Sequence, residues 1–472
     1  MSERRGAAEE TTAVRRLARF AAGCRDRGLP GPVAEDVAGR VLDVVGNCHA
    51  GRAEGGPGDA VLRTVRAWGG TPQSGVFGDA DRLPSPQAAL VNGTLAHTLD
   101  FDDTHLPSVL HPSASVVPAA LAVAEEVGAS GARLSAAVAA GIEICDRLGM
   151  ASYLPELRNS VFFEKGQHAT SICGTLAASA AAALLYGLDE DGIADAMGVA
   201  ASMGAGLLEA NRTGGTVKRV HCGWAAHAGV SAAALARAGI TGPPTVLEGR
   251  FGFFRAWLDG ICDTEAMLGG LGERWETLRT VYKPYPSNHF THPAIDCALA
   301  LRAAGLDPDD VVSAELGLPA PTLRTVAEPR ERKIRPGTAY HAKFSGPFTV
   351  ATALLGGGGL GVHLDDFTEE TLADPRRLAL AARVECVADE RAGEIFPHAF
   401  AAVLRVRTRG GSVLEHRVDS SLGGPGNPLS REQLLTKFRL NAARGLPDAE
   451  VTRLADAVAG LGRTADVRGL FL

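Results

Sequence analysis

The chain has 472 residues, of which 46% are hydrophobic, so it can form two or three domains with sizeable cores. Its formal net charge of −7 excludes a globally basic surface, and we expect no nucleic-acid partner. The Ala- and Leu-rich runs are interrupted by glycine or charge before they reach the ~18–20 apolar residues of a membrane span, so we also expect no membrane segment.

The cysteines and the N-terminus indicate a reducing compartment. The eight cysteines are scattered and no Cys-x-x-Cys pair occurs, which excludes zinc-ribbon and thioredoxin-like sites. Most lie in apolar runs, as buried thiols do. The N-terminus carries acidic residues and lacks the apolar core of a secretory signal. We therefore predict a cytoplasmic protein, with a frayed tail over residues 1–10.

From about residue 10 to residue 275 the chain is predicted to be almost entirely helical. Apolar residues recur at helical spacing, and glycine and proline mark the breaks. A long Ala-rich helix is expected to follow residues 166–170 and to stop at Gly187. The other predicted helices cover 60–68, 86–98, 113–127, 135–150 and 189–210, with a last one ending at Gly239.

Near Val281 the pattern changes to a mixture of strands and helices. Strands are predicted at 311–318, 383–387, 401–408 and 413–418, where a Gly-Gly turn joins the last two. Helices are predicted at 292–304 and 344–355, and residues 319–337 are expected to form a Pro/Arg-rich loop. At Ser430 a capping-box pattern marks the return of helix.

These elements predict a mainly α fold, in which a large all-helical domain is interrupted by a smaller α+β block. The helical domain would consist of residues 9–277 and be completed by the C-terminal helices of residues 424–472. The inserted block would cover residues 278–423.

The first candidate site is a polar segment between two predicted helices. Three carboxylates and three histidines fall within fifteen positions. Together they supply a base, an acid and pKa values that burial can move toward neutrality. The alternative is a polar interhelical turn, in which Asp caps the next helix and His fills a half-buried gap. The six residues are His97, Asp100, Asp102, Asp103, His105 and His111.

Further polar segments supply another histidine and several cations. His168 stands at a helix start, where free N–H groups attract carboxylates, although it could simply fill a gap. Lys218 and His221 are three apart and share a helical face; a surface lysine is the alternative. Prolines around Lys283 fix the backbone that carries it. Cations in an acidic protein indicate a small polyanionic ligand, most simply a di- or tricarboxylic acid.

Several common catalytic motifs are absent from the sequence. It contains no phosphate-binding G-x-x-x-x-G-K-[ST], no H-E-x-x-H and no G-x-S-x-G. The sequence thus gives no support for a bound cofactor beyond the Asp/His segment. Proton transfer by His or Asp, with Lys neutralising an enediolate-like charge, is typical of a lyase or isomerase.

Six segments together resemble the MmgE/PrpD family, in the order in which its motifs occur and over about residues 10 to 450. Because several segments agree, the resemblance is specific. It implies a helical domain built from both ends of the chain, an α+β lid inserted between them, and a homodimer. It also implies chemistry without a cofactor or metal in a cleft between body and lid. The segments are residues 100–113, 166–170, 217–227, 241–243, 283–286 and 343–348.

The resemblance also implies roles for the residues at the family's motif positions. His111 or Asp100 would be the base that takes the proton alpha to a carboxylate. His168 would be the acid, or would hold a carboxylate at its helix end. Lys218 would complete the catalytic set by binding a substrate carboxylate. The implied substrate-binding residues are Thr104, His221, Lys283, Tyr340, Lys343 and Phe348.

One departure from the family pattern concerns Phe348, where the family usually has tyrosine. The change removes a hydroxyl that could donate a proton or orient a carboxylate, and Tyr340 or His341 is a candidate to replace it. For this reason we do not assign 2-methylcitrate itself as the substrate.

The predicted activity is a lyase acting on a small di- or tricarboxylic acid, with dehydration first. A decarboxylase or an epimerase would use the same scaffold and differ in what leaves. A second possibility is a non-catalytic carboxylate-binding relative. A third is a metallohydrolase that uses His97, Asp102, Asp103 and His111.

Overall fold

The structure is a computed structural model that describes residues 12–156 and 159–471. Helices dominate it, which confirms the prediction of a mainly α fold. The chain divides into two compact units: one contains the residues up to Thr280 together with Phe438–Leu472, and the other contains Val281–Lys437. The tail predicted for residues 1–10 lies outside the described residues.

The first unit is a bundle of helices joined by turns and loops. Its long helices are Ala13–Arg27, Gly31–Glu54, Pro57–Trp68, Ser85–His97, Ser113–Val127, Gly131–Met150, Ala169–Leu185, Glu190–Ala200, His221–Arg237 and Asp448–Ala459. The shorter ones are Val161–Glu164, Ala210–Thr213, Phe253–Leu258 and Thr264–Leu268, with 3-10 turns at Val217–Val220, Glu276–Arg279 and Leu461–Arg463.

The Ala169–Leu185 helix lies at the centre of this bundle. It is buried along its whole length, as expected of a helix that is apolar all round. The helices in contact with it include Ser113–Val127, Gly131–Met150 and His221–Arg237. The N-terminal ends of the Ser113–Val127, Ala169–Leu185 and His221–Arg237 helices meet in one region of the first unit, whereas the Gly131–Met150 helix contacts the loop that precedes Ser113 with its C-terminal end.

Glycine permits a close crossing between two helices that carry candidate residues. A Cβ built at Gly93 would lie 2.8 Å from the Cα of Gly223, a distance that real Cβ atoms do not show. Side chains at either position would push the helices apart. The crossing thus places His97, at the end of one helix, near His221 and Cys222, at the start of the other.

The helix predicted for residues 189–210 is wrong in its second half. It ends at Ala200, and the chain continues as turns. Gly206 has a φ of +146°, and its carbonyl oxygen accepts the backbone N–H of His168 at 3.0 Å. Because this conformation favours glycine, the segment leaves the helix and covers the start of the Ala169–Leu185 helix instead.

The second unit contains a four-stranded sheet. The strand order is Val413–Val418, Ala402–Thr408, Val311–Leu318 and Val384–Ala388, in which only the last neighbouring pair is parallel. These strands lie within one residue of the predicted bounds. The sequence predicts them well because their β-branched residues are bounded by glycine and charged turns.

Helices cover most of the rest of the second unit. The loop predicted for residues 319–337 is wrong, because prolines there stand at helix starts, where a missing N–H costs nothing. The helices are His292–Ala303, Ala320–Val326, Arg330–Ile334, Ala339–Ala342, Gly346–Leu355, Glu369–Ala373, Pro375–Ala381 and Glu390–Ile395, with 3-10 turns at His289–Thr291, Pro308–Asp310 and Leu364–Asp366.

The Arg431–Ala442 helix runs across the boundary between the units. At its start the Ser430 N–H donates to Gln433 Oε1 at 2.9 Å, and the Gln433 N–H donates to Ser430 Oγ at 3.2 Å. The predicted capping box is therefore confirmed.

Over the described ranges 12–156 and 159–471, no helix is both long and apolar enough to cross a bilayer.

Candidate active site

The segment of residues 97–111 folds as a loop between two helices of the first unit. Asp100 and Val109 have φ values of 57° and 55°. This left-handed conformation is costly for residues other than glycine, and most of all for a β-branched side chain. A backbone hydrogen bond across residues 105–110 closes the turn that carries Val109. The loop that positions Asp100 and His111 thus contains two residues, Asp100 and Val109, in strained backbone conformations.

Asp103 anchors this loop to the helices around it. Its carboxylate accepts the Ser113 hydroxyl at 2.5 Å and the Ser113 N–H at 3.3 Å, and it forms an ion pair with Arg40 at 3.2 Å. Burial raises the pKa of Asp103 to about 6, against the opposing effects of Arg40 and Ser113. Because Asp103 is fully engaged, we assign it to the structure of the loop.

Four imidazole rings of the first unit form what we call the histidine cluster: His97, His111, His168 and His221. The His97 ring centroid lies 5.7 Å from that of His111 and 5.7 Å from that of His168. His168 and His221 are 5.1 Å apart by centroid, and their Nδ1 atoms are 3.0 Å apart. Residues that are up to 124 positions apart in sequence are thus neighbours in space.

Carboxylate, carbonyl and hydroxyl groups of the loop contact two of these rings. His97 Nδ1 lies 2.7 Å from Asp102 Oδ2. His111 Nδ1 lies 2.5 Å from the backbone carbonyl oxygen of Asp103 and 3.3 Å from Thr104 Oγ1. Thr104, which the family resemblance implies to be a substrate-binding residue, therefore contacts His111.

Lys218 brings a buried positive charge to the cluster. Its Nζ lies 3.7 Å from Asp100 Oδ1, and both side chains are buried. Burial lowers the pKa of His168 well below its usual value, and Lys218 and the other imidazoles lower it further. Burial, His97 and Lys218 likewise lower the pKa of His221 to about 4. Both shifts favour the neutral imidazole at pH 7.

Acidic pH should destabilise the fold because the buried histidines bind protons more readily in the unfolded chain. His49 allows this effect to be measured for one histidine. Its ring packs against Phe77, and burial lowers its pKa to about 4. Below pH 6.5 the unfolded chain therefore binds a proton that the folded chain does not. The lowering of this pKa from 6.5 to about 4 corresponds to roughly 3 kcal/mol in the free energy of unfolding. This stability is lost as the pH falls from 6.5 to 4.

Urea unfolding of the wild type and of His49→Leu at pH 7 and pH 4 measures this loss. The variant should show a free energy of unfolding that depends less steeply on pH. Equal losses in the two proteins would contradict the assignment.

His105 lies outside the histidine cluster, in a second buried group. Its Nδ1 contacts Ser108 Oγ at 2.7 Å, and its ring nitrogens lie 3.7 Å from Asp146 and 3.6 Å from Glu276. All of these side chains are fully buried. We therefore assign His105 to the support of the loop, as the gap-filling alternative anticipated.

One set of potential metal ligands occurs among the described residues. Ligand atoms of His97, Asp102 and Cys222 all lie within 4.8 Å of one another. Two ligands of one zinc ion are roughly 3 Å apart or more, so His97 Nδ1 and Asp102 Oδ2, at 2.7 Å, cannot both bind it as they stand. Burial also raises the pKa of the Cys222 thiol well above its usual value. The donor set therefore fits hydrogen bonding better than metal binding.

The other predicted binding residues belong to the second unit. Phe348 is fully buried in the core of that unit and packs against Phe367. The implied substrate contact of Phe348 is therefore wrong, because its ring is packed inside the core and has no exposed surface. Lys343 Nζ lies 5.8 Å from the Phe367 ring centroid, and Lys283 is buried. Tyr340 is partly exposed and packs against its neighbour in sequence, Phe344.

Three residues that support the site were given no role by the sequence analysis: Arg40, Ser113 and Thr170. Thr170 Oγ1 accepts the backbone N–H of His111 at 3.1 Å. Arg40 could have been found, since it stands between Asp36 and Asp43 in an otherwise apolar part of its helix. Ser113 and Thr170 belong to segments that resemble the family, but nothing in the sequence gives them a role different from that of other small polar residues at helix starts.

Family comparisons cover nearly all of the chain. Residues 15–262 match the MmgE/PrpD N-terminal domain, and residues 285–461 match the MmgE/PrpD C-terminal domain.

Several curated proteins are similar over most of their length. Cis-aconitate decarboxylase of Homo sapiens is 31% identical over 403 residues, which cover 82% of this chain and 79% of the relative. Cis-aconitate decarboxylase of Aspergillus terreus is 28% identical over 415 residues, or 84% and 82% of the two chains. The Mus musculus protein of the same name is 28% identical over 391 residues, or 82% and 78%.

Proposed function

The chain belongs to the MmgE/PrpD family, and we propose that it is a lyase that decarboxylates cis-aconitate or a closely related unsaturated tricarboxylic acid. The similar proteins named as cis-aconitate decarboxylases favour decarboxylation over the dehydration that the sequence placed first. The observation that carries the proposal is the buried meeting of four imidazoles with the Lys218 ammonium group.

This arrangement suits a decarboxylation with a shift of the double bond. The C–C bond to the carboxylate on the saturated arm breaks, and carbon dioxide leaves. The bonding pair moves through the alkene to its far carbon, which is alpha to a second carboxylate and takes up a proton. The reaction therefore needs a cation beside that carboxylate and a proton donor beside that carbon.

The first unit offers both groups. Lys218 would neutralise the charge that develops on the second carboxylate. His168 would deliver the proton, since its ring lies between His97 and His221. The lowered pKa values of both imidazoles favour their neutral forms at pH 7, and the negative charge of a bound substrate would favour their protonation. His111 and Asp100 would orient the substrate or act as base in a related reaction.

Family resemblance supports Lys283, Tyr340 and Lys343 as substrate-binding residues, and it supports a homodimeric assembly. Neutralising three carboxylates calls for several cations, and Lys218 alone supplies one.

Incubation with cis-aconitate in deuterated water tests the proposed reaction. We expect release of carbon dioxide and one deuterium per product molecule, on the carbon alpha to a carboxylate. Lys218→Ala protein, prepared in the same way, controls for contaminating enzymes.

A parallel panel of citrate-like hydroxy acids and aspartate-derived acids separates the alternatives. Water loss without carbon dioxide would make the protein a dehydratase. Exchange of an alpha hydrogen without a leaving group would make it an epimerase. Tight binding of tricarboxylates without turnover would indicate a non-catalytic relative. Each of these results would overturn decarboxylation.

A further inference from the structure

The contact between His97 and Asp102 fixes the position of one proton. Both side chains are buried, and His97 Nδ1 lies 2.7 Å from Asp102 Oδ2. A carboxylate can only accept, so Nδ1 carries the hydrogen and Nε2 keeps a lone pair. Within the described part of the chain, this Nε2 is buried and has no hydrogen-bond partner. It is therefore an acceptor that requires a donor from the neighbouring groups.

The contacts of His111 exclude its neutral form as that donor. Its Nδ1 lies 2.5 Å from the backbone carbonyl oxygen of Asp103, which can only accept. His111 therefore carries its hydrogen on Nδ1 and, when neutral, presents a lone pair at Nε2. Two lone pairs do not bond to each other, so His97 needs another partner.

His168 is the neighbour that can supply the hydrogen. Its ring centroid is 5.7 Å from that of His97, which leaves room for a direct contact or one bridging water. Its Nδ1 lies 3.0 Å from His221 Nδ1, so one of these two nitrogens donates and the other accepts. If His221 donates, His168 accepts at Nδ1 and carries its own hydrogen on Nε2. That arrangement satisfies the observed contact with His221 and leaves His168 Nε2 with a hydrogen to offer to His97 Nε2.

We propose that Asp102 is a positioning residue that sets the tautomers of three histidines in sequence. His97 is the Nδ1–H form, His168 the Nε2–H form and His221 the Nδ1–H form. These tautomers make His168 a proton donor at its Nε2, whereas neutral His111 is an acceptor at its own Nε2. The catalytic consequence rests on the proposed function: His168 is the acid that protonates the substrate carbon. The additional proton that the anionic substrate favours resides on His221. As His168 gives its Nε2 hydrogen to the carbon, its Nδ1 takes the Nδ1 hydrogen of His221, and both rings end neutral.

The Asp102→Asn variant tests the proposed tautomers, because it should reverse the tautomer of His97. The asparagine amide donates to His97 Nδ1, so the hydrogen of His97 moves to Nε2 and faces the hydrogen of His168. We expect kcat for cis-aconitate to fall by ~10²-fold, with KM within ~3-fold of the wild type. A kcat within twofold of the wild type would overturn the proposal.

His97→Gln is the conservative variant that separates tautomer control from packing. Its amide has one donor for Asp102 and one acceptor for His168, and it can turn over if the partner changes. We expect at most ~10-fold loss of kcat, and little further loss when Asp102→Asn is added. If the losses of kcat in the two single variants multiply in the double variant, Asp102 and His97 act separately and the proposed tautomers are wrong.

Asp195→Asn is a matched control. Asp195 accepts the Gly242 N–H at 2.9 Å, outside the cluster, so the same substitution there should leave kcat unchanged.

Proton NMR supplies a readout that does not depend on turnover. The Nδ1–H of His97 in contact with a carboxylate should give a far-downfield resonance that is split when histidine is labelled with ¹⁵N. The resonance should be absent from Asp102→Asn and from His97→Gln. Its absence from the wild type would overturn the tautomer assignment whatever the activity. Its presence in a wild type that leaves cis-aconitate unchanged would overturn only the proposed reaction.

Discussion

Replacing Lys218 with alanine is expected to lower kcat/KM for cis-aconitate by ~10²–10³-fold. Lys218 is buried beside Asp100 and the histidine cluster, so its charge acts where water does not screen it. The ammonium group would both bind a carboxylate and stabilise the charge left by carbon dioxide. We therefore expect kcat to fall and KM to rise, as steady-state assays over a range of cis-aconitate concentrations would show.

The same substitution leaves the buried Asp100 without the charge 3.7 Å away, and this can destabilise the fold. The double variant Lys218→Ala/Asp100→Asn removes the second charge as well. It should recover thermal stability relative to Lys218→Ala and remain inactive.

Lys165→Ala removes an exposed lysine that pairs with Asp259 at 3.0 Å, and it should leave both activity and stability unchanged. Recovery of activity together with stability in the double variant would show that Lys218 acts only on folding.

Local features of the fold could be predicted from the sequence because their causes are local. The strands 311–318 and 413–418 and the capping box at Ser430 follow from alternation, turn residues and a four-residue hydrogen-bonding pattern. Where a long-range contact decides, prediction failed. The helix predicted to reach residue 210 ends at Ala200, and in the chain beyond it the carbonyl oxygen of Gly206 accepts the backbone N–H of His168, a contact that no local pattern shows.

The candidate site was predicted as a set of residues but not as a geometry. His111, His168, His221 and Lys218 were identified from their segments. Their meeting depends on helix crossings such as that of Gly93 with Gly223.

Whether an aspartate of the loop contacts the histidine cluster or supports the loop also depends on packing, which the sequence does not show. Asp102 contacts His97, whereas the adjacent Asp103 points to Arg40 and Ser113. Two aspartates that are adjacent in sequence therefore have different roles, Asp102 in the cluster and Asp103 in the loop.

The choice among reactions could not be made from the site residues, because proton abstraction and carboxylate loss leave similar negative charge behind. A lysine and several imidazoles would stabilise either intermediate. Only decarboxylation, however, requires a proton donor and no base on the same substrate. That distinction makes the acid the most informative residue to remove.

His168→Ala should therefore lower kcat by ~10³-fold while KM stays within ~3-fold of the wild type. The imidazole would act on the carbanion and not on the bound carboxylates, so its loss affects the transition state more than binding. The backbone N–H of His168, which donates to Gly206, is kept in the variant, so the helix start should survive. Stopped assays of carbon dioxide and of product deuterium measure the effect.

His227→Ala is the matched control for this substitution. His227 is half-buried, its Nδ1 lies 2.9 Å from the Pro86 carbonyl oxygen, and its ring stacks on Trp224 outside the histidine cluster. Its removal should leave kcat within ~2-fold of the wild type. If both variants lose activity equally, the loss reports on packing of the bundle. If His168→Ala instead raises KM with kcat unchanged, His168 holds a carboxylate, and the proton must come from another ring of the cluster.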